Sequence, residues 1–194
     1  MSRTSAIYLD YNATAPVRPA VVAAVARALE TGGNPSSVHA VGRAARNMVE
    51  EAREKVAALI GASPGDVVFT SGGTEANNLA ILGANRPVIV SAAEHDSVLA
   101  PSRIATGGVT TVPVDEDGVV DLAALGAALA ARPGALVSLM LANNETGVCQ
   151  PIPEAVALAR AAGAIVHCDA VQGPGKLRVD MDALGVDMLT ISAR

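Results

Sequence analysis

Aromatic side chains are nearly missing from this chain: no tryptophan, one phenylalanine and two tyrosines occur among 194 residues. Stacking platforms for bases are therefore scarce. With 14 basic against 19 acidic residues, a net charge of −5, no Lys/Arg cluster supplies the electrostatic footprint of a nucleic-acid binder, and none is expected as a partner. Cysteine is rare too. Cys149 and Cys168 make no disulfide framework and no Cys-x-x-Cys pair, which fits a reducing compartment; Cys168, inside an apolar run, reads as a small buried hydrophobe. No apolar run approaches the length that crosses a bilayer, and the first residues lack the charged and apolar regions of a signal peptide. The expectation is a soluble, cytoplasmic protein with no membrane partner and no metal site. Lysine occurs twice, as Lys55 and Lys176.

What is abundant is small and aliphatic. Hydrophobic residues make up 51% of the chain, much of it Ala and Val, a composition suited to helices packed on a parallel sheet. Short apolar runs at 67–70, 87–91, 109–114, 136–141, 165–168 and 187–192 read as strands, and Ile7-Tyr-Leu9 as a further short one. Helical spacing appears after Pro19, with Val21, Val22, Val25 and Leu29, and again from Gly42 to Ile60. More helical patterns fall at about 75–82, 97–105, 122–131 and 153–162. Strands alternating with such helices predict βαβ units: an α/β fold with a mostly parallel twisted sheet and helices on both faces. Gly107-Gly108 and Pro133-Gly134 are too short to be linkers, so residues 1–194 read as a single domain, with 1–33 as an N-terminal segment.

The stretch Phe69-Thr-Ser-Gly-Gly-Thr-Glu75 passes through two glycines into a helix, which leaves backbone N–H groups and the positive end of the helix dipole facing outward. That is a seat for an anion, phosphate being the usual one, with Thr74 placed either to bond it or simply to cap the helix. Ligands of doubly wound sheets bind beyond the carboxyl ends of the strands. There this chain carries Ser71-Gly72-Gly73-Thr74, Glu94-His95, Asn143-Asn144-Glu145, Asp169 with Gln172, and Ser192. A carboxylate at Asp169, directly after an apolar strand, is expensive to bury without a cationic partner. If that partner is a pyridinium nitrogen, the carboxylate keeps it protonated and the ring becomes an electron sink. His95 could then stack on the ring, Asn144 and Gln172 could bond its phenolic oxygen, and Gly73, Thr74 and Ser192 its phosphate. Each residue also has a plainer use: Asp169 capping a turn, His95 starting a helix with Asp96 as its cap, Gln172 facing solvent. Taken together they describe a pocket for pyridoxal phosphate.

The segments Leu9-Asp-Tyr-Asn-Ala-Thr-Ala-Pro16, Gly33-Asn-Pro-Ser-Ser37, Phe69 to Glu75, Glu94-His95, Ala142-Asn-Asn-Glu-Thr-Gly147 and His167-Cys-Asp-Ala-Val-Gln172 resemble the cysteine desulfurases of the class V aminotransferase group, which have the fold type I architecture. The resemblance implies a pyridoxal 5'-phosphate enzyme that takes sulfur from L-cysteine, releases L-alanine and holds the sulfur as an enzyme-bound persulfide. It implies cofactor contacts at Gly73, Thr74, His95, Asn144, Asp169, Gln172 and Ser192, with His95 the catalytic position. Ala13, Thr14 and Asn34 fall on loops that line the substrate side. It further implies a homodimer and a sulfur-accepting scaffold or carrier protein, with iron–sulfur cluster assembly among the destinations.

One departure stands out. Family members continue the last strand through a Ser-x-His-Lys pattern whose lysine forms the Schiff base, whereas here the sequence reads Ser192-Ala-Arg194; neither Lys55 nor Lys176 matches that position, and neither cysteine matches the catalytic one. The expectation is an N-terminal part of the family protein, ending before the last strand of the large domain and the small domain, and inactive alone. Selenocysteine lyase or another class V aminotransferase is the alternative enzyme, and a non-catalytic anion- or partner-binding fragment is the alternative from outside catalysis.

Overall fold

The computed structural model describes residues 7–193; Arg194, the residue at the expected histidine position, lies outside the described residues. The described residues fall into two compact units, 7–55 and 56–193.

In the first unit, helix α1 (Pro19–Thr31) begins with proline in its first turn, where the missing N–H is no loss. Its stripe of Val21, Val22, Val25 and Leu29 is exposed, so periodicity here marks a face without burying it. The Ile7 to Leu9 run is not a strand: Ile7 and Leu9 are exposed, and the chain turns where Ala13 N–H reaches Asp10. Tyr8 and Tyr11 meet edge to face, centroids 5.3 Å apart. Helix α2 (Ala40–Ile60), whose residues 56–60 belong to the second unit, ends at Gly61, whose φ of +66° is the left-handed conformation glycine adopts most readily.

The second unit is built on five parallel strands, β1 (Val88–Ser91), β2 (Val109–Val112), β3 (Leu136–Met140), β4 (Ile165–Asp169) and β5 (Met188–Thr190), in the order β2-β1-β3-β4-β5. Between them run α3 (Gly73–Gly83, ahead of β1), α4 (Asp96–Ile104), α5 (Leu122–Ala131), α6 (Ile152–Ala161) and the short α7 (Met181–Leu184). Sheet order reverses beside β1, and the core divides accordingly. Ile89, Val137, Leu139, Val166 and Cys168 share one hydrophobic cluster with Leu125 and Leu129 of α5 and Val156 of α6. Val88, Val90 and Leu136 share the other with Ile81 of α3 and Val98 of α4. Helices therefore cover both faces, as a two-faced apolar strand pattern requires.

The apolar run at 67–70 is not one of the strands; Val68 and Phe69 stay exposed, and a 3-10 turn (Pro64–Asp66) precedes them. β-type residues supply a propensity, but a strand exists only where a ladder forms. The helix start that follows is nonetheless where the glycines put it, at Gly73.

Candidate functional site

The α3/α4 face of the sheet changes character along its strands. Val88, Leu136 and Ile165 lie at the strand starts, but two residues on the pleat places Ser138 beside His167, and the next step places Met140, Asp169 and Thr190 in one row. His167 is fully buried, with Nδ1 2.8 Å from the Ser138 hydroxyl and Nε2 2.9 Å from the Thr190 hydroxyl. Burial holds this imidazole neutral and lowers its pKa to about 4, against a smaller opposing pull from Asp169.

Asp169, 6% exposed, closes the row at the carboxyl end of β4. One carboxylate oxygen accepts Val171 N–H at 3.0 Å, the turn-capping bond allowed for in the sequence, and the other accepts the Asn77 amide at 2.8 Å. No described lysine or arginine forms an ion pair with it. Asn77, fully buried on α3, donates through the same Nδ2 to Ser97 Oγ at 2.9 Å. Ser97 Oγ lies 2.8 Å from His95 Nδ1, and Ser97 N–H donates to that nitrogen at 3.1 Å, so His95 rather than Asp96 caps α4. Asp169 and His95 are thus ends of one hydrogen-bonded chain through Asn77 and Ser97.

Thr74, exposed, lies one helical turn before Asn77 on α3, and a Cβ built on Gly73 would come within 3.8 Å of Ser192 Cβ. The three residues expected to hold an anion therefore belong to the same end of the sheet. Ser71 N–H bonds Glu75 Oε2 at 2.6 Å across the helix start, and the Ser71 hydroxyl and N–H hold that exposed carboxyl below its usual range. The same Cβ on Gly73 would stand 2.8 Å from Val171 Cγ2, tighter than side chains tolerate. Gly73→Ala is expected to lose about 1 kcal/mol of stability in urea unfolding, because crowding costs about 1–3 kcal/mol while alanine returns at most about 1 as a helix former. An unchanged or raised midpoint would show that Val171 has room to move.

Gln172 is buried, not solvent-facing, and accepts Lys176 Nζ at 2.7 Å. Asn144 is half-buried in a loop arranged by Asn143, whose Oδ1 accepts Glu145 and Thr146 N–H and whose Nδ2 donates to Ala93 O. Ala13, Thr14 and Asn34 belong to the first unit; Ala13 and Thr14 form the turn at Asp10, and Asn34 Oδ1 accepts Ser36 N–H. Cys168 is buried in β4, and burial first, then Asp169 and Glu94, push its thiol up; Cys149 is exposed.

Three residues of this network, Asn77, Ser97 and His167, carry no role legible in the sequence, and Glu94, singled out there only as a strand-end residue, has a structural one. Glu94, at the point where strand order reverses, ties β1 to β3 by accepting Met140 N–H at 2.9 Å. Burial raises its pKa to about 8; Asp169 adds to the rise, and bonds from Met140 N–H and Ser91 oppose it. The available signal was periodic, since Asn77 lies three residues after Thr74 and so on the same side of α3.

A doubly wound parallel sheet with a glycine-bordered helix start, an imidazole and a buried carboxylate at its carboxyl end defines an α/β domain of the fold type I kind. The chain belongs to the aminotransferase class-V family, whose pattern matches residues 7–194. That family is pyridoxal-phosphate-dependent in general. The chain is 44% identical to the cysteine desulfurase IscS of Dictyoglomus turgidum, over 96% of this chain and 50% of that protein. It is 42% identical to the selenocysteine lyase of Bos taurus, over 95% of this chain and 51% of that one. Among solved structures, a NifS-like protein from Rickettsia africae superposes with a TM-score of 0.90 at 37% identity, covering 96% of this chain and 53% of the other. The chain spans about half the length of the curated relatives it matches. No helix among the described residues is long and apolar enough to cross a membrane.

Proposed function

We propose that this chain forms the cofactor-binding part of a cysteine desulfurase, with pyridoxal 5'-phosphate seated at the carboxyl ends of β1, β3, β4 and β5. One observation carries the reading: the buried Asp169 carboxylate is held by an amide and a backbone N–H, with no cation from a described residue beside it. Such a carboxylate is stabilised by a protonated ring nitrogen. Bound there, the cofactor supplies an electron-withdrawing ring for the electrons released at the substrate Cα. The chain's own residues would orient that ring: Asp169 would hold the nitrogen, His95 would stack on the ring, Asn144 and Gln172 would bond the phenolic oxygen, and Gly73, Thr74 and Ser192 would receive the phosphate at the α3 start. Both units belong on this reading to one large domain, with 1–33 as its N-terminal segment. The substrate is L-cysteine, two subunits pair, and sulfur passes to an acceptor protein in the cytoplasm.

Titration of the 194-residue chain with pyridoxal phosphate is the direct test. Saturable quenching of the cofactor's fluorescence is expected, followed by full release of the cofactor after borohydride treatment, since Lys55 lies on α2 and Lys176 is engaged with Gln172. Absence of saturable binding would refute the reading, and a stoichiometric borohydride-stable adduct on Lys176 would refute the assignment of that lysine. A selenocysteine lyase is the second reading, supported by the 42% identity to the bovine enzyme. Comparing alanine release from L-cysteine and L-selenocysteine by the complete protein separates the two.

A further inference from the structure

We propose that Asn77 and Ser97 are positioning residues that join His95 to Asp169 and hold the His95 imidazole in its Nε2–H form. The inference rests on the pyridoxal phosphate reading for its purpose, and on the hydrogen-bond directions alone for its substance.

Those directions leave no freedom. A carboxylate accepts only, so the Asn77 atom 2.8 Å from Asp169 is the NH2 group, and its second hydrogen is the one that meets Ser97 Oγ at 2.9 Å. Ser97 Oγ is thereby an acceptor toward Asn77, and its single proton goes to His95 Nδ1 at 2.8 Å. Ser97 N–H, a donor in every state, meets the same nitrogen at 3.1 Å. Two donors aimed at Nδ1 exclude a proton on it in the neutral ring, which leaves the proton on Nε2. No described residue bonds Nε2, and His95 is exposed, so the ring presents one donor outside the protein's own network.

A second observation points the same way. Asn77 Oδ1 is fully buried and without a hydrogen-bond partner, an arrangement that costs stability. Turning the amide over would pair nothing on the carboxylate side and would set an oxygen against Asp169. The orientation is thus dictated by the two acceptors, Asp169 and Ser97, at the expense of the amide oxygen. What this achieves lies outside α3: a carboxylate at the end of β4 and an imidazole at the start of α4 are held in a set relation to whatever lies between them.

The readout is the tautomer of His95 in the 15N-labelled 194-residue chain without cofactor, at alkaline pH where imidazole is neutral. Only three histidines are present, so the His95 resonances are identified by their loss in His95→Gln. In the unsubstituted chain, Nδ1 is expected to show the shift of an unprotonated ring nitrogen and Nε2 that of a protonated one. Ser97→Ala removes one of the two donors and is expected to lower the Nε2–H to Nδ1–H ratio about fivefold, the equivalent of one hydrogen bond. Ser97→Thr, which keeps the hydroxyl, restores it. Asn77→Leu is expected to lower the ratio as Ser97→Ala does, because the hydroxyl is then free to turn; should that variant not fold, the serine pair still decides. A predominant Nδ1–H form in the unsubstituted chain, or a ratio indifferent to Ser97→Ala, overturns the proposal. Cofactor titration of the same samples keeps the two ideas apart: loss of pyridoxal phosphate binding by the unsubstituted chain defeats the functional reading and leaves the tautomer result standing.

Discussion

Asp169→Asn is expected to weaken pyridoxal phosphate binding about 100-fold, measured by fluorescence titration of the 194-residue chain, while the far-ultraviolet spectrum of the fold is retained. The size follows from what the substitution leaves behind. Truncating one member of a buried charged pair costs about 2–5 kcal/mol, and 100-fold corresponds to about 2.7 kcal/mol. Asparagine keeps the shape and, with its single oxygen on Val171 N–H, the turn at β4; its NH2 then faces Asn77, whose amide must turn its unpartnered Oδ1 toward it to keep a bond to α3. What disappears is the negative charge that a ring nitrogen would face. Unaltered affinity in Asp169→Asn would remove the carboxylate from the site and with it the observation on which the functional reading stands.

The second large effect is on stability against pH. His167, with a folded pKa near 4 against 6.5 when unperturbed, binds fewer protons folded than unfolded between those values. Its stability is present in full above about 6.5 and lost as pH falls toward 4, a contribution of about 3–4 kcal/mol at about 1.4 kcal/mol per unit. Glu94 has the opposite sign. Raised from 4.5 to about 8, it binds more protons folded than unfolded, so the stability it contributes below 4.5 is lost as pH rises through 8. The two slopes oppose between about 4.5 and 6.5, giving a plateau there with a decline on each side. Urea unfolding from pH 4 to pH 8.5 measures the curve. His167→Gln is expected to flatten the short acid limb and turn the plateau into a decline with rising pH, because Glu94 is then unopposed, with an added loss of about 2–4 kcal/mol from disturbing the Ser138 and Thr190 hydroxyls; Glu94→Gln is expected to flatten the alkaline limb and turn the plateau into a rise with pH up to about 6.5. An acid limb that persists in His167→Gln would place its origin elsewhere.

Much of this architecture could be read before any coordinates. Pro19 opens α1, Gly61 closes α2, and α5 spans the residues its pattern indicates, Leu122–Ala131. Five of the apolar runs are strands of the sheet. The run at 67–70 shows where such reading fails: Val68 and Phe69 have the composition of a strand, but the ladder is a property of two segments and composition belongs to one. The exposed stripe of α1 makes the same point for helices.

The site divides along the same line. Asp169, His95, Thr74 and Gln172 stand out as candidates because strand ends and glycine-bordered helix starts advertise themselves locally. Asn77 and Ser97 do not. Asparagine in a helix and serine two residues into one are ordinary, and their meaning arises from partners 92 and 20 residues away from Asn77.

Residue order alone thus determined which segments are strands and helices across most of 56–193, and which chemistry gathers at their ends, because periodicity, caps and glycine turns act within a few residues. Tertiary structure decided the direction of every hydrogen bond from Asp169 to His95, the neutrality of His167 and the raised pKa of Glu94. Those depend on burial and on distances between segments, and neither exists until the sheet has closed over them.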